Sequence, residues 1–385
     1  MVRKSSGAGK SSKPPQPPRA AASEEKVEVA AEPFSADEVR AQQRLLNIFD
    51  SAFREVLGRD DFGAVLQEVK GALYRRDFDA AFGTEQFLEV YAARYSPPRA
   101  LCYARILEQI SGYLSSILNS AAACKSAEYD DDEVERGRAS PTVDAGDDEE
   151  GEINSGATLK ILAIGGAAAE IVAVGEHLRS AGPGVTGDLV LLDVGPWQEV
   201  VRKLRTSLTT TPVLSKYASA AAKAANAPLV SPAERLKSTF VQRDVLELDR
   251  DGLADLLGQT PLLFTLLFTL NELYTTAGVG KTTAFLRNLT TTIPISSLLL
   301  VVDSPGSYSE AAIGKEAKKY PMQWLLDHTL LQAADKLPSD GCIWEKLESH
   351  DSIWFRHPVG LKYSIELQDM HYQMHLYRAC PRPSD

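Results

Sequence analysis

The residues of this chain that could do chemistry stand just after short apolar runs. The run Leu159–Ile164 is followed by Gly165-Gly166-Ala167-Ala168-Ala169-Glu170. Glycine and alanine permit a sharp turn and a close approach of backbone to ligand. A helix beginning there presents free N–H groups. The next run, Asp188–Leu192, ends in Asp193, 28 residues after Gly165. A carboxylate at that place can accept both hydrogen bonds of a ribose diol. A glycine turn followed by an acid suits a dinucleotide or S-adenosyl-L-methionine (SAM). The turn is not GxGxxG, so by itself it leaves both open. Trp197 offers either a flat face for a purine or an ordinary core anchor.

Three further run ends carry polar groups. Phe240–Leu246 contains Asp244, placed to meet an adenine amino group or to cap the next helix. Leu262–Leu270 leads into Asn271, Glu272 and Tyr274. There a methyltransferase reaches its methyl group and acceptor, but a turn residue, a first-turn acid and a core aromatic would read the same. Leu298–Val302 leads into Asp303-Ser304-Pro305-Gly306-Ser307-Tyr308. That acid and its hydroxyls suit substrate binding, the orientation of a base, or a simple turn. Ligands of open α/β sheets bind beyond the carboxyl ends of the strands, so these ends taken together favour a site.

Other chemistries find little support. Gly278-Val279-Gly280-Lys281-Thr282-Thr283 resembles the end of a P-loop, but Thr275 stands where the first glycine belongs. A P-loop must also follow a strand directly, and Asn271–Thr276 intervene. The six histidines form no HExxH and no helical HxxxH. His371 and His375 share a face of an apparent strand about 13 Å apart, too far to hold one metal. No metal is expected. No GxSxG elbow occurs. The four cysteines are scattered without a CxxC pair, which argues against zinc and disulfides and fits a reducing compartment.

The elements that position these groups divide the chain. From residue 157, apolar runs of strand length alternate with helical stretches, the pattern of a parallel sheet covered on both faces. Ser352–Phe355 and Ile365–Tyr377 read as two closing strands. Residues 34–120 read as helical, with Ser35 as an N-cap before Asp37 and Glu38. Stripes run through Leu45, Leu46, Phe49 and Phe53, then Phe62, Val65, Leu66 and Val69, and last Leu101, Ile106, Leu107 and Ile110. Ser96-Pro97-Pro98 is expected to stop one helix and start the next. The expected organisation is a disordered basic tail (1–33), a helical domain (34–120), an acidic disordered linker (121–156) and a catalytic domain (157–380).

The charge is unevenly placed. The 385 residues carry a net −11, yet residues 128–152 hold twelve acids against Arg136 and Arg138. The first twenty residues are +5. The acidic total therefore does not exclude a nucleic-acid partner. The basic tail suits nuclear import, RNA contact or simple solubility. No stretch reaches the roughly 18 apolar residues of a membrane span, and no secretory signal opens the chain. No membrane partner is expected.

In its motifs the chain resembles the fungal large-subunit (25S) rRNA uridine-N(3) methyltransferases. The resemblance rests on Tyr95-Ser96-Pro97-Pro98-Arg99-Ala100-Leu101, Phe268–Tyr274, Val302–Tyr308 and Tyr372-Gln373-Met374-His375-Leu376-Tyr377-Arg378. It covers roughly residues 34–120 and 157–379. It implies a Rossmann-like α/β fold whose seven-stranded sheet has an antiparallel last strand. It implies SAM as cofactor, with Gly165, Gly166, Ala167, Asp193, Asp244 and Asn271 as its contacts. Ala167 and Ala169 depart from the usual glycines of such loops. Glu272 and Asp303 become candidate bases, Tyr274 and Tyr308 candidate stacking partners of the uridine, and Arg99 and Lys281 candidate phosphate contacts. The implied partner is large-subunit rRNA, within a pre-ribosomal particle, and the implied location is the nucleus or nucleolus and also the cytoplasm. Two rival readings keep the same fold: a protein or small-molecule methyltransferase, and a non-catalytic ribosome assembly factor.

Overall fold

The computed structural model describes residues 34–120, 156–306, 308–313, 316–331 and 341–383. The expected basic tail, and the acidic linker except Gly156, lie outside the described residues. The chain begins with helices α1 (Ala36–Ala52), α2 (Arg54–Leu57), α3 (Phe62–Tyr74), α4 (Phe78–Phe82), α5 (Glu85–Gln109) and α6 (111–120). Then come β1 (Ala157–Ile164), α7 (Ala168–Ala181), β2 (Val185–Asp193), α8 (Gln198–Thr209), α9 (Ala220–Ala224), β3 (Leu236–Gln242) and α10 (Arg250–Leu257). After these follow β4 (Leu263–Leu267), α11 (Leu270–Thr276), α12 (Val279–Thr292), β5 (Leu298–Asp303), β6 (Tyr308–Ile313) and β7 (Glu316–Pro321). The last elements are α13 (Met322–Leu330), β8 (Ile343–Phe355) and β9 (Met370–Cys380).

Seven strands form one sheet in the order β3-β2-β1-β4-β5-β9-β8. The first five are parallel, and β9 enters antiparallel between β5 and β8. Side chains alternate across a strand, so each strand feeds two cores. Leu159, Ile161 and Ala163 of β1 join one buried cluster, while Leu162 and Ile164 join the other. Helices α10 to α13 cover the second face through residues such as Leu253, Tyr274, Leu286 and Leu326. The first face is covered by α7 and α8 together with the N-terminal helices. Leu45, Phe49, Leu88 and Leu101 sit in the same buried cluster as Leu159. The helical segment and the sheet are thus one compact unit from Ser35 onward.

The N-terminal cap of α1 is as expected. Ser35 Oγ accepts from Glu38 N, and the Glu38 carboxylate accepts from Ser35 N. The expected break at Pro97-Pro98 does not occur: α5 runs through both prolines. Each proline lacks the N–H that a helix interior needs, leaving the carbonyls of Ala93 and Arg94 without their usual donors. The Tyr363 hydroxyl donates to Ala93 O at 2.7 Å and replaces one of them. Burial of Pro97, Pro98 and their neighbours does the rest.

Three strand boundaries also differ from the sequence reading. Strand β3 starts at Leu236 and ends at Gln242, so Asp244–Leu246 lies beyond it in a turn. Strand β4 ends at Leu267, because Phe268 adopts a left-handed backbone (φ 59°) and α11 begins two residues later. The first closing strand starts earlier and is longer than expected, the second is shifted later and is shorter, and an additional hairpin, β6–β7, follows β5.

Changing Tyr363→Phe should cost about 1–2 kcal/mol, because it leaves the Ala93 carbonyl buried without a donor. Urea denaturation of the wild type and the variant measures this. Equal stabilities would show that the helix needs no such donor.

Candidate active site

The carboxyl ends of neighbouring strands are stitched together by backbone groups. Gly165 N donates to Leu192 O at 2.9 Å, and Arg243 N donates to Asp193 O at 2.9 Å. Phe268 N donates to Val302 O at 2.7 Å. Thr269 Oγ1 donates to Ile164 O at 3.0 Å. These bonds fix one rigid rim from β3 to β5. The sheet reverses its winding between β1 and β4, which is where ligands of doubly wound sheets bind.

The turn after β1 requires its glycines. Gly165 has φ 70°, and a Cβ there would come within 2.4 Å of Thr269 Oγ1. A Cβ on Gly166 would meet Glu170 Oε1 at 2.3 Å. The two positions are therefore glycine because Thr269 and Glu170 pack directly against the turn and leave no room for a side chain. Ala167 is the N-cap residue of α7 and is buried. Glu170, in the first turn of α7, is buried beside these glycines. Burial pushes its carboxyl up to about 7, against the pull of backbone N–H groups and of Arg99, with Asp193 pushing it further up.

Asp193 ends β2, and its Oδ1 accepts from Gly195 N at 2.7 Å. Burial pushes its carboxyl up to about 6, against that bond. Trp197, next to it, takes the core role, with rings of Phe82 and Tyr91 centred 6.1 Å and 5.8 Å away. Asp244 also takes its structural role: its Oδ1 accepts from Leu246 N at 2.8 Å and caps the turn after β3.

Helix α5 lays Arg99 against this rim. Its guanidinium donates to the Tyr91 hydroxyl and lies 5.4 Å from the centre of the Phe268 ring and 5.6 Å from that of Tyr91. Burial opposes its charge, but Tyr91, Tyr103 and Glu170 outweigh that effect. Arg99 is therefore enclosed among aromatic rings and carboxylates, where the sequence reading placed it on a phosphate. Glu272, in the first turn of α11, keeps a solvent-facing side. Surrounding protein pushes its carboxyl up to about 7. Arg99 pulls it down, and Asp303 and Asp193 push it up. The water reaching Glu272 tempers that rise relative to enclosed Glu170. Asp303 is buried, with Oδ2 accepting from Asn271 N and Oδ1 from Ser304 N. Gln373 of β9 donates to Ser304 O at 2.7 Å, so the last strand holds the loop after β5.

The structure thus brings together Gly165, Gly166, Ala167, Asp193, Asn271, Glu272, Asp303 and Arg99. It does not bring Tyr274, which is 1% exposed in the second core, where burial pushes its hydroxyl up. The aromatic simply completes the apolar stripe of α11. Lys281 is exposed on the first turn of α12, separated from β4 by α11. Tyr308 is the first residue of β6. Sequence reasoning missed Glu170 and Phe268. An acid within an otherwise apolar helix start was the available signal for Glu170. Nothing in the sequence marks the left-handed turn at Phe268.

This strand order, with a glycine turn after β1 and an acid ending β2, defines a methyltransferase-type α/β fold. A family model described as "Putative SAM-dependent methyltransferase" matches residues 49–378. The chain belongs to this SAM-dependent methyltransferase family. It is 28% identical over 344 residues to the 25S rRNA (uridine(2843)-N(3))-methyltransferase of Saccharomyces cerevisiae, covering 87% of this chain and 85% of that one. Among solved structures, a SAM-dependent methyltransferase from Methanosarcina mazei aligns at 10% identity and a TM-score of 0.31, over 58% of this chain and 93% of that one. The antibiotic-resistance methyltransferase Kmr aligns at 12% identity and a TM-score of 0.32, over 60% and 90%.

Glu170 makes stability depend on pH in a defined direction. Its folded carboxyl titrates near 7, above its ordinary 4.5. Between those values the folded protein keeps a proton that the unfolded chain has released, so stability falls as pH rises toward 7 and levels off above it. Glu170→Gln should remove that loss, on the order of 1–3 kcal/mol at pH 8 and little at pH 4. Denaturation midpoints between pH 4 and 8 test it. Parallel profiles for the two proteins would contradict it.

Proposed function

We propose that this chain methylates N3 of a uridine in large-subunit ribosomal RNA. The substrate assignment is supported by the yeast relative, whose name states that reaction and which aligns along most of both chains. The observation that carries the chemistry is the place of Glu272, an exposed carboxyl in the first turn of α11, next to Asn271, whose N–H is held by buried Asp303; its surroundings raise its pKa. A base is most effective when its pKa lies near the working pH.

The residues present fit SAM. Gly165 and Gly166 keep the turn after β1 free of side chains, so its backbone can approach a ligand closely. Asn271 Oδ1 is buried and has no hydrogen-bond partner among the described residues, so an acceptor is available for the ammonium of the cofactor. Asp193 stands where a ribose diol is bound. When bound, SAM supplies a methyl carbon on positively charged sulfur. The carboxylates of Glu170, Asp193, Glu272 and Asp303 favour that positive charge. Arg99 keeps a share of them ionised by drawing down Glu170 and Glu272.

The rest of the step is alignment and removal of one proton. Glu272 takes the imide proton as N3 gains the methyl group. N3 lies on the pairing edge of the base, so the uridine must be unpaired or extruded when it enters. The proposal extends to work on a pre-ribosomal particle in the nucleus or nucleolus, and also in the cytoplasm.

Glu272→Gln should lower the rate at pH 8 about 100-fold or more. It should also flatten the rise in wild-type rate through pH 7. Binding of S-adenosylhomocysteine should stay within a few-fold, since the thioether carries no charge. Reverse-transcription stops and nucleoside mass spectrometry of treated rRNA read the product. Methyl transfer to protein but not to rRNA would overturn the substrate assignment. Asp193→Ala should weaken S-adenosylhomocysteine about 10- to 100-fold through loss of charge-assisted hydrogen bonds. Calorimetry measures it, and an unchanged Kd would remove Asp193 from the site.

A further inference from the structure

Helix α3 ends in a turn that uses an unusual residue. Arg75 N donates to Gly71 O, Arg76 N to Leu73 O at 3.0 Å and Asp77 N to Ala72 O at 2.9 Å. The last two bonds define the Schellman closure of a helix, whose residue outside the last turn is left-handed. Glycine is the usual occupant, since a Cβ is strained there. Here it is Arg76, with φ 56°. A strained residue retained in a turn that glycine would close without cost points to a use for its side chain.

Its place in the fold suggests the use. Tyr74 and Arg75 stand beside it, both exposed, with Tyr74 92% accessible and the most exposed aromatic ring among the described residues. Next along the chain, Asp77 is occupied as the cap of α4, accepting from Ala80 N. Helix α4 then sets Phe82 against Gly195 and Trp197, two and four residues after Asp193, the acid that ends β2. The turn therefore lies on the rim of the active site. Arg76 acts electrostatically on Glu272, which it pulls toward ionisation. Behind that rim stand the buried carboxyls of Glu170 and Asp303 and half-buried Asp193, with exposed Glu272 at its edge, and their negative charge repels phosphate.

We propose that Tyr74, Arg75 and Arg76 form a docking lip for the RNA strand that flanks the target uridine. The arginines take its phosphodiester groups, and the Tyr74 ring stacks on an adjacent unpaired base. Arginine suits this role, being always charged and able to engage phosphate through two N–H groups. The left-handed Arg76 is exposed beside Tyr74 and Arg75, at the turn that leads into α4. The lip rests on the methyltransferase reading above and gives it the means to hold RNA at an acidic site.

The decisive variant is Arg76→Gly, which relieves the strained backbone while removing the charge. Its thermal midpoint should equal or exceed that of the wild type, so a folding defect cannot account for the result. Its affinity for deproteinised large-subunit rRNA and for a uridine-containing single-stranded oligonucleotide should fall about five- to tenfold. The slope of log affinity against log salt should shrink by about one, as expected for one phosphate contact. S-adenosylhomocysteine binding should be unchanged. Arg76→Lys should recover most of the RNA affinity, and Tyr74→Ala should weaken the oligonucleotide more than the salt slope accounts for. If the wild type binds and methylates rRNA while Arg76→Gly keeps its affinity and salt slope, the lip is overturned and the methyltransferase reading stands. If the wild type binds S-adenosylhomocysteine but neither RNA, both the rRNA assignment and the lip fall.

Discussion

Four carboxyl groups crowd the carboxyl ends of the strands, and one half-buried guanidinium offsets two of them. Glu170, Asp193, Glu272 and Asp303 come from α7, β2, α11 and β5, while Arg99 comes from α5. Like charges gathered in a poorly solvated place raise one another's pKa, and an opposite charge lowers them. Arg99 draws two of these acids, Glu170 and Glu272, toward ionisation. It also explains why the N-terminal helices belong to the same compact unit as the sheet. A site completed by α5 cannot tolerate movement of α5, and Phe268, Tyr91 and Tyr103 clamp its arginine in place.

Continuity of α5 through two prolines serves the same end. Arg99 is one residue beyond Pro98, so any kink there would displace it. Tyr363, from the segment between β8 and β9, supplies the donor that the first proline removed from the helix. The carboxyl-terminal part of the chain thus braces a helix made at its beginning. The same part, through Gln373, holds the loop after Asp303.

Much of this was legible in the sequence, for physical reasons. Alternating apolar runs of strand length can satisfy their backbone only in a covered sheet, so the α/β class and most strands follow. Glycines and acids at strand ends are legible because few other residues tolerate those places. What escaped notice depends on partners distant in sequence. Pro97-Pro98 reads as a break because the compensating Tyr363 is about 270 residues away. Tyr274 reads as a stacking residue because its neighbours in the second core come from α12 and α13. Glu170 looks like an ordinary first-turn acid until burial beside Arg99 is known. Arg76 gives no signal at all, since a left-handed residue other than glycine leaves no local mark.

Strand β9 has a consequence for the order of assembly. Among the described residues it follows every other strand, yet it sits between β5 and β8 rather than at an edge. Strands β1 to β5 can pair as they emerge during synthesis, but β8 has no neighbour in the sheet until β9 arrives. Gln373 lies in that strand, so the loop behind Asp303 is pinned only after the last strand has been made. A nascent chain would therefore carry its glycine turn and Asp193 well before it carried a settled Asp303. Strand order thus makes the loop after Asp303 among the last parts of the site to be held in place.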